Sequence, residues 1–420
     1  MTLTEKILAR AAGKPTIAPG EIITVPVDLL MTNDATTHVS IDIFRNKVRN
    51  PKVAHPEKVV CVIDHNVPAE SVATAHVQNM MRAFAREHGL ALHDGEGVCH
   101  EILAEYYVKP GDIVIGADSH TPASGAFGSF ASGVGSTDFV GALVTGSIWL
   151  RVPETLRVNI TGTFSAGTDG RDLMLHIISR TGSSGALYMA MEFSGSGLAN
   201  IPFDERMTMC AMAVEAGVKS AVIEADEVTM KYLADAGRPD DAGVSLAADP
   251  DARYAANLDV DLGSLVPMAA RPHFVHQGVA ASDCEKEKIH IHEAFVGSCS
   301  AGRIGALRRA ANILKGRRVN PDVKLIITPA SRTIMSKALD EGLIDIFLAA
   351  GAMVMNPNCS VCWGACQGVL GPGEVMISTG TRNFRGRAGS RDSSVYLGSA
   401  ETVAASAVAG YIVDPRGWRE

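Results

Sequence analysis

The chain has 420 residues, 46% hydrophobic and 20% charged, with a formal net charge of −8. That acidic balance excludes the basic surface a nucleic-acid binder needs, and no apolar run approaches the ~20 residues of a membrane span. The length exceeds one ordinary core and predicts two or three domains; 41 glycines and only 5% aromatics suit an α/β chain with many tight strand–helix turns.

The start, "MTLTEKILARAAG", lacks the apolar run of a signal peptide. It reads as a helix with Thr2 as N-cap and Glu5 closing a capping box. Without an export signal, a cytoplasmic, reducing compartment is expected. The eight cysteines then read as core thiols or metal ligands rather than disulfides. "KVVCVIDH" and "DIVIGADSH" are short Val/Ile runs that predict buried strands. Between them, residues 69–89 predict a helix closed by Gly89. Near residue 150 the texture changes. "TLRVNITGTF" predicts a strand that opens a second unit, followed by helices in "GRDLMLHIISRTG" and "FDERMTMCAMAVEAGV". Residues 237–263, rich in Ala, Asp and Pro, read as a surface excursion. "KIHIHEAFVGSC" then predicts a strand ending at Cys299. Helix "AGRIGALRRAANILKG", strand "VKLIITPAS" and helix "RTIMSKALDEGL" follow. The expected units are 1–153, 154–286 and 287–420.

Three clusters along this path carry chemistry. Cys359 and Cys362 form a Cys-x-x-Cys pair, and Cys299 ends a strand some sixty residues earlier. The spacing suits metal ligation, redox use or plain packing. Cys366 is either a further ligand or a small residue in the following turn. Asp64–His65 and Asp118–Ser119–His120 each follow a Val/Ile strand. An aspartate beside a histidine can orient a proton donor, or simply form a turn. The glycines after His120 are no dinucleotide fingerprint, since "GVGSTD" has Asp138 where a third glycine belongs. Finally, Arg382, Arg385 and Arg387 crowd a Gly-rich loop. Guanidinium forks match carboxylates or phosphates, and a solvated basic loop is the plainer reading.

In order, "IDHNVP", "GADSHT", "VGSCSAGRI", "NPNCSVCWGA" and "STGTRNFRGR" resemble the aconitase superfamily. The ends of the chain, "TLTEKILARAAG" and "YLGSAETVAASAVAGYI", resemble its stand-alone large subunits of the isopropylmalate dehydratase and homoaconitase type. The resemblance implies an α/β fold: three α/β/α domains packed around one iron–sulfur cluster, without the family's swivelling fourth domain. It implies a [4Fe–4S] hydro-lyase for a small hydroxy-dicarboxylate, foremost a 3-isopropylmalate dehydratase of leucine biosynthesis. Cys299, Cys359 and Cys362 match the cluster ligands, which leave one iron without a protein ligand. Asp64 and His65 match the proton-donating pair. Asp118, His120 and Glu215 match further catalytic positions. Asn33, Ser119, His100, Arg382 and Arg387 match substrate-binding positions. The family's serine base lies in a "GSSR"-type loop of the fourth domain. Here only "TGSSGALY" at 181–188 is similar, without the arginine. The implied partner is therefore a separate small subunit supplying that serine, in a heterodimer or heterotetramer, with neither nucleic acid nor membrane involved.

The motifs depart from the family at Ser300 and Ala301, at Thr381, and at Ala211, where asparagines or a Thr-Asn pair are usual. These changes leave sibling specificities open: homoaconitase, methylmalate-type or dimethylmalate-type dehydratase, or citraconate/maleate hydratase. A non-catalytic iron–sulfur regulatory protein is the alternative of a different class.

Overall fold

A strand buried on both faces leaves no room for polar alternation, so its sequence becomes a continuous apolar run. Val59–Ile63 and Ile113–Gly116 are such strands, with every residue buried. The computed structural model describes residues 1–419. Five parallel strands form the first sheet, in the order Ala91–Asp94, Val59–Ile63, Leu29–Asn33, Ile113–Gly116, Phe130–Gly133. Four parallel strands form the second, in the order Ser220–Ile223, Ala190–Ser194, Thr155–Thr161, Ala256–Asp261. The third has seven strands: Gly278–Ala280, Met268–Ala270, Ser394–Gly398, Val375–Ser378, Glu293–Gly297, Lys324–Thr328, Met353–Val354. Its last five strands are mutually parallel, and Met268–Ala270 pairs antiparallel on both sides. Strands at 268–280 precede residue 287 yet join this sheet. The α/β class expected from the sequence is the observed one.

Local signals agree with this architecture. Thr2 caps the helix Leu3–Ala11 and forms the full capping box with Glu5. The helix Val72–His88 starts at Ser71, whose side chain accepts from the Thr74 N–H, and ends at Gly89 in the left-handed region. Residues 237–263 differ in part from the expected excursion. The stretch up to 255 is irregular, but Ala256–Asp261 is a strand beside Thr155–Thr161. It is an edge strand whose outer positions are exposed, so polar residues in it cost little.

Two sheets reverse their build direction between neighbouring strands. In the first, the reversal lies between Leu29–Asn33 and Ile113–Gly116. In the third, it lies between Glu293–Gly297 and Val375–Ser378. At such a point the connections leave to opposite sides and open a crevice at the carboxyl ends of the strands. Asn33 and Asp118 stand at the first crevice; Cys299, Thr381 and Arg382 stand at the second.

Thr2 is fully buried, and its hydroxyl accepts from the Glu5 N–H and from Thr155. Thr2→Ala is expected to lower unfolding stability by about 1–2 kcal/mol, read as a shift in denaturant midpoint without change in slope.

Candidate active site

The two crevices meet in one cavity of about 70 Å³. Its lining includes Cys299, Cys359, Cys362, His65, His100, Asp118, Ser119, His120, Thr381, Arg382 and Arg387. Ten of the thirteen candidate site residues named above thus border one space. Asp64 and Asn33 stand directly behind it, through their bonds to His65 and Asp118. Glu215 reaches the same wall through Arg382.

The acid side is built around two carboxylates. Asp64 is fully buried. Its Oδ1 lies 2.7 Å from His65 Nδ1, and its Oδ2 accepts from the Cys99 N–H at 2.6 Å. Burial alone would strip the proton from His65. The carboxylate and hydrogen bond of Asp64, with Asp34 and Asp118 beyond, outweigh burial and raise the imidazole to about 9. Asp118 accepts from His100 Nε2 at 2.9 Å, from the His120 N–H at 2.8 Å and from Asn33 Nδ2 at 3.1 Å. Burial would raise its carboxyl, but the surrounding His100, His120 and His65 hold it well below the usual range. His120 Nε2 bonds Thr381 Oγ1 at 2.9 Å. Glu215 Oε1 accepts from Arg382 Nε at 2.7 Å, and Arg382 Nη1 donates to Ser119 Oγ at 3.0 Å. Despite its burial, His120 and Arg382 keep Glu215 below its ordinary value.

The sulfur side comes from the third sheet. Cys299 follows Glu293–Gly297 in the short helix Ser298–Ala301, and Cys362 closes the 3-10 turn Ser360–Cys362. Ser298 Oγ lies 3.8 Å from Cys299 Sγ and 3.9 Å from Cys359 Sγ. Ser298 and Ser360, each beside one of these cysteines, adopt positive φ of 65° and 54°. Left-handed non-glycine residues cost about 1 kcal/mol or more, so this backbone is held for what it places. Among the described residues, the groups whose ligand atoms all lie within 4.8 Å are Cys99–His100–Asp118 and Asp34–Asp64–His65. The three cysteines do not form so tight a group. A single tetrahedral ion would need sulfurs about 4 Å apart at Zn–S bonds of ~2.3 Å; a wider, multi-iron group suits the wider set. Buried guanidinium nitrogens without partners lie at and behind this wall: Arg387 Nε on the cavity lining, and both terminal nitrogens of Arg303, just after the Cys299 helix. Donors left unpaired in a core fit an acidic cofactor or substrate. The cysteines therefore fit a cluster.

Several residues fall elsewhere. Cys366 is buried, but its Sγ donates to the His65 carbonyl at 3.4 Å and does not line the cavity. Arg385 is exposed. Ser183 of "TGSSGALY" bonds His276 on the surface and is not a cavity residue. Other residues escaped the sequence reading. Asp34 Oδ1 accepts the backbone N–H groups of Asp64 and His65 at 3.2 and 3.0 Å, which fixes that pair. Its signal was position, one residue past the predicted site residue Asn33. Trp363 sets its ring edge-on to His65 at 5.0 Å, and Cys99 lines the cavity beside His100.

A sequence model of the aconitase family (aconitate hydratase) matches residues 5–410. The chain belongs to the aconitase family. It is 45% identical over 419 residues to a probable 3-isopropylmalate dehydratase large subunit of Methanothermobacter thermautotrophicus, covering 99% of both chains. It is 43% identical over 419 residues, again 99% of both, to the 3-isopropylmalate dehydratase large subunit of Sulfurimonas denitrificans. A probable methanogen homoaconitase large subunit of M. thermautotrophicus is 43% identical over 423 residues, 99% of this chain and 98% of its own.

Asp34→Asn removes one carboxylate that holds the His65 proton. NMR on the cofactor-free chain should place the His65 pKa below the wild-type value of about 9. The sign for stability follows from the raised folded value. Protonation contributes fully below the unfolded pKa of about 6.5 and is lost as pH rises through about 9. Between these limits the wild type should lose more stability than the variant, measured by urea midpoints.

Proposed function

We propose that this chain is the cluster-bearing large subunit of a hydro-lyase acting on a small hydroxy-dicarboxylate, foremost a 3-isopropylmalate dehydratase. The observation that carries this reading is the meeting of three buried cysteines, a protonated histidine and two arginines in one cavity. The full-length likeness to named dehydratase large subunits supports it. Cys299, Cys359 and Cys362 would hold a [4Fe–4S] cluster, with one iron left without a protein ligand. When bound, that cluster supplies Lewis acidity toward the substrate hydroxyl and carboxylate.

The chain's own residues do the rest. Arg382 and Arg387 face the cavity and grip carboxylates. His65 keeps its proton at neutral pH and delivers it to the departing hydroxyl, so water leaves. Asp64 holds the ring, and Asp34 the His65 backbone N–H, in place during the transfer. Loss of water makes a carbon–carbon double bond once a base takes the proton from the neighbouring carbon. No side chain in the cavity is the serine expected for that base, apart from Ser119 and Ser298, which are already committed to Arg382 and to the cysteine sulfurs. A separate small subunit supplies it in this reading. Readdition of water with the positions exchanged completes the isomerisation.

The homoaconitase relative keeps a longer tricarboxylate substrate in view, because its identity to this chain is nearly as high. Anaerobic reconstitution should give a brown protein with iron and sulfide, and Cys362→Ser should lose most of both. A colourless wild-type protein would exclude the reading. With the small subunit added, interconversion of 2- and 3-isopropylmalate should exceed turnover of homocitrate-type acids. His65→Ala should lower kcat by about 10²–10⁴-fold while the cluster stays loaded; an unchanged kcat would remove His65 as the acid.

A further inference from the structure

The backbone between Thr379 and Arg382 leaves the strand Val375–Ser378 and carries two site contacts. Thr381 bonds His120, and Arg382 bonds both Glu215 and Ser119. Such a turn would be loose without anchors, because it extends past the sheet ladder. Two consecutive residues, Thr379 and Gly380, are anchored by buried side chains or strand backbone. The Thr379 N–H donates to the Phe295 carbonyl at 2.9 Å, and the Thr379 carbonyl accepts from Ser300 Oγ at 2.7 Å. The Gly380 N–H donates to Ser378 Oγ at 2.8 Å. The Gly380 carbonyl accepts from Arg171 Nη1 at 2.6 Å.

The last of these comes from 209 residues away. Arg171 is 1% exposed, among the largest side chains buried so completely. It sits in the first turn of the helix Gly170–Thr181, which Asp169 and Asp172 lock with a reciprocal capping box. Asp172 also accepts the Met268 N–H at 2.7 Å, which ties this helix end to the third sheet. Among the described residues, the guanidinium tip of Arg171 makes one protein hydrogen bond, to Gly380, and Nη2 is buried without a partner. Packing alone would favour an apolar side chain here, since a buried guanidinium with an unmade bond is costly. Gly380 itself is pressed against the sulfur side. A Cβ built on it would lie 3.4 Å from Cys362 Sγ. Arg171 therefore acts across Gly380 on the neighbourhood of Cys362 and on the two residues that follow.

We propose that Arg171 is a positioning residue of this site: by holding the Gly380 carbonyl, it fixes the Thr379–Arg382 turn so that Thr381 meets His120 and Arg382 meets Glu215 and Ser119. Its consequence for turnover rests on the hydro-lyase reading; its effect on the turn does not. The substituted neighbours Ser300 and Thr381 belong to the same device, since one holds the turn's start and the other is its working end.

Two readouts test this. Hydrogen–deuterium exchange on the cofactor-free full chain is independent of catalysis. Arg171→Met should speed exchange across residues 379–383 by about tenfold or more, the loss of a charge-assisted bond, while the strand Leu29–Asn33 exchanges as in wild type. Wild-type exchange across 379–383 overturns the proposal. If the Met variant exchanges fast throughout, Arg171→Gln is read by the same criterion. In the cluster-loaded complex with its small subunit, Arg171→Met should lower kcat/KM by at least about tenfold. Thr381→Val should add less than about twofold on top of it, because both changes break one chain of contacts. Multiplicative losses would overturn the shared mechanism. A loaded complex that turns over no hydroxy acid would refute the hydro-lyase reading, and the exchange result would still decide on Arg171.

Discussion

A carboxylate as far withdrawn from water as Asp118, whose side chain is 15% exposed, stays ionised only when its surroundings replace the water it has lost. Three donors do so here, and each arrives from a different place in the chain. Asn33 comes from the end of a central strand, His100 from the helix Cys99–Tyr106, and the His120 N–H from the turn that follows Asp118 itself. The imidazole of His65 lies 4.0 Å from the same carboxylate. Asp118 therefore joins the acid pair to the rest of the first crevice. If this carboxylate were neutral or displaced, His100 and His120 would lose the partner that orients them, and the cavity wall would lose its order.

The second crevice meets the first through few but specific contacts. The Cys359 N–H donates to the Asp64 carbonyl at 2.8 Å, so the cysteine loop is seated directly on the Asp64–His65 pair. Thr381 reaches across to His120, and Arg303 to Glu101 at 2.6 Å with both residues buried. Buried ion pairs of this kind add little net stability, but breaking one by removing a partner is expensive, so they fix geometry more than they add stability. The cavity is thus a product of two topological switch points held in register. Neither sheet alone would bring thiols and imidazoles together.

Much of this was legible in the sequence because local chemistry dictates it. Apolar Val/Ile runs can only be covered strands, and polar residues directly after them fall at carboxyl ends, where parallel sheets open their crevices. Asp64, His65, Asp118 and His120 were therefore visible from position alone. Cys359 and Cys362 were visible but ambiguous, because Cys-x-x-Cys spacing serves several chemistries. Their companion Cys299 gained meaning only from motif order. Residues that act through long-range contact left no such trace. Asp34 looks like any loop aspartate until its carboxylate is seen beneath the Asp64 and His65 amides. Arg171 reads as an ordinary charged residue of an amphipathic helix until it is found fully buried. The strand Ala256–Asp261 was hidden because an exposed edge tolerates the polar residues that usually mark a loop.

The account's central claim is that one metal group sits between the cysteine wall and the Asp118 wall. Anomalous X-ray scattering at the iron edge, on crystals of the anaerobically reconstituted protein, tests it most directly. The account predicts a single strong peak bounded by Cys299, Cys359 and Cys362, facing His65 and Arg382. A peak seated instead among Cys99, His100 and Asp118, or no peak in the cavity at all, would contradict it.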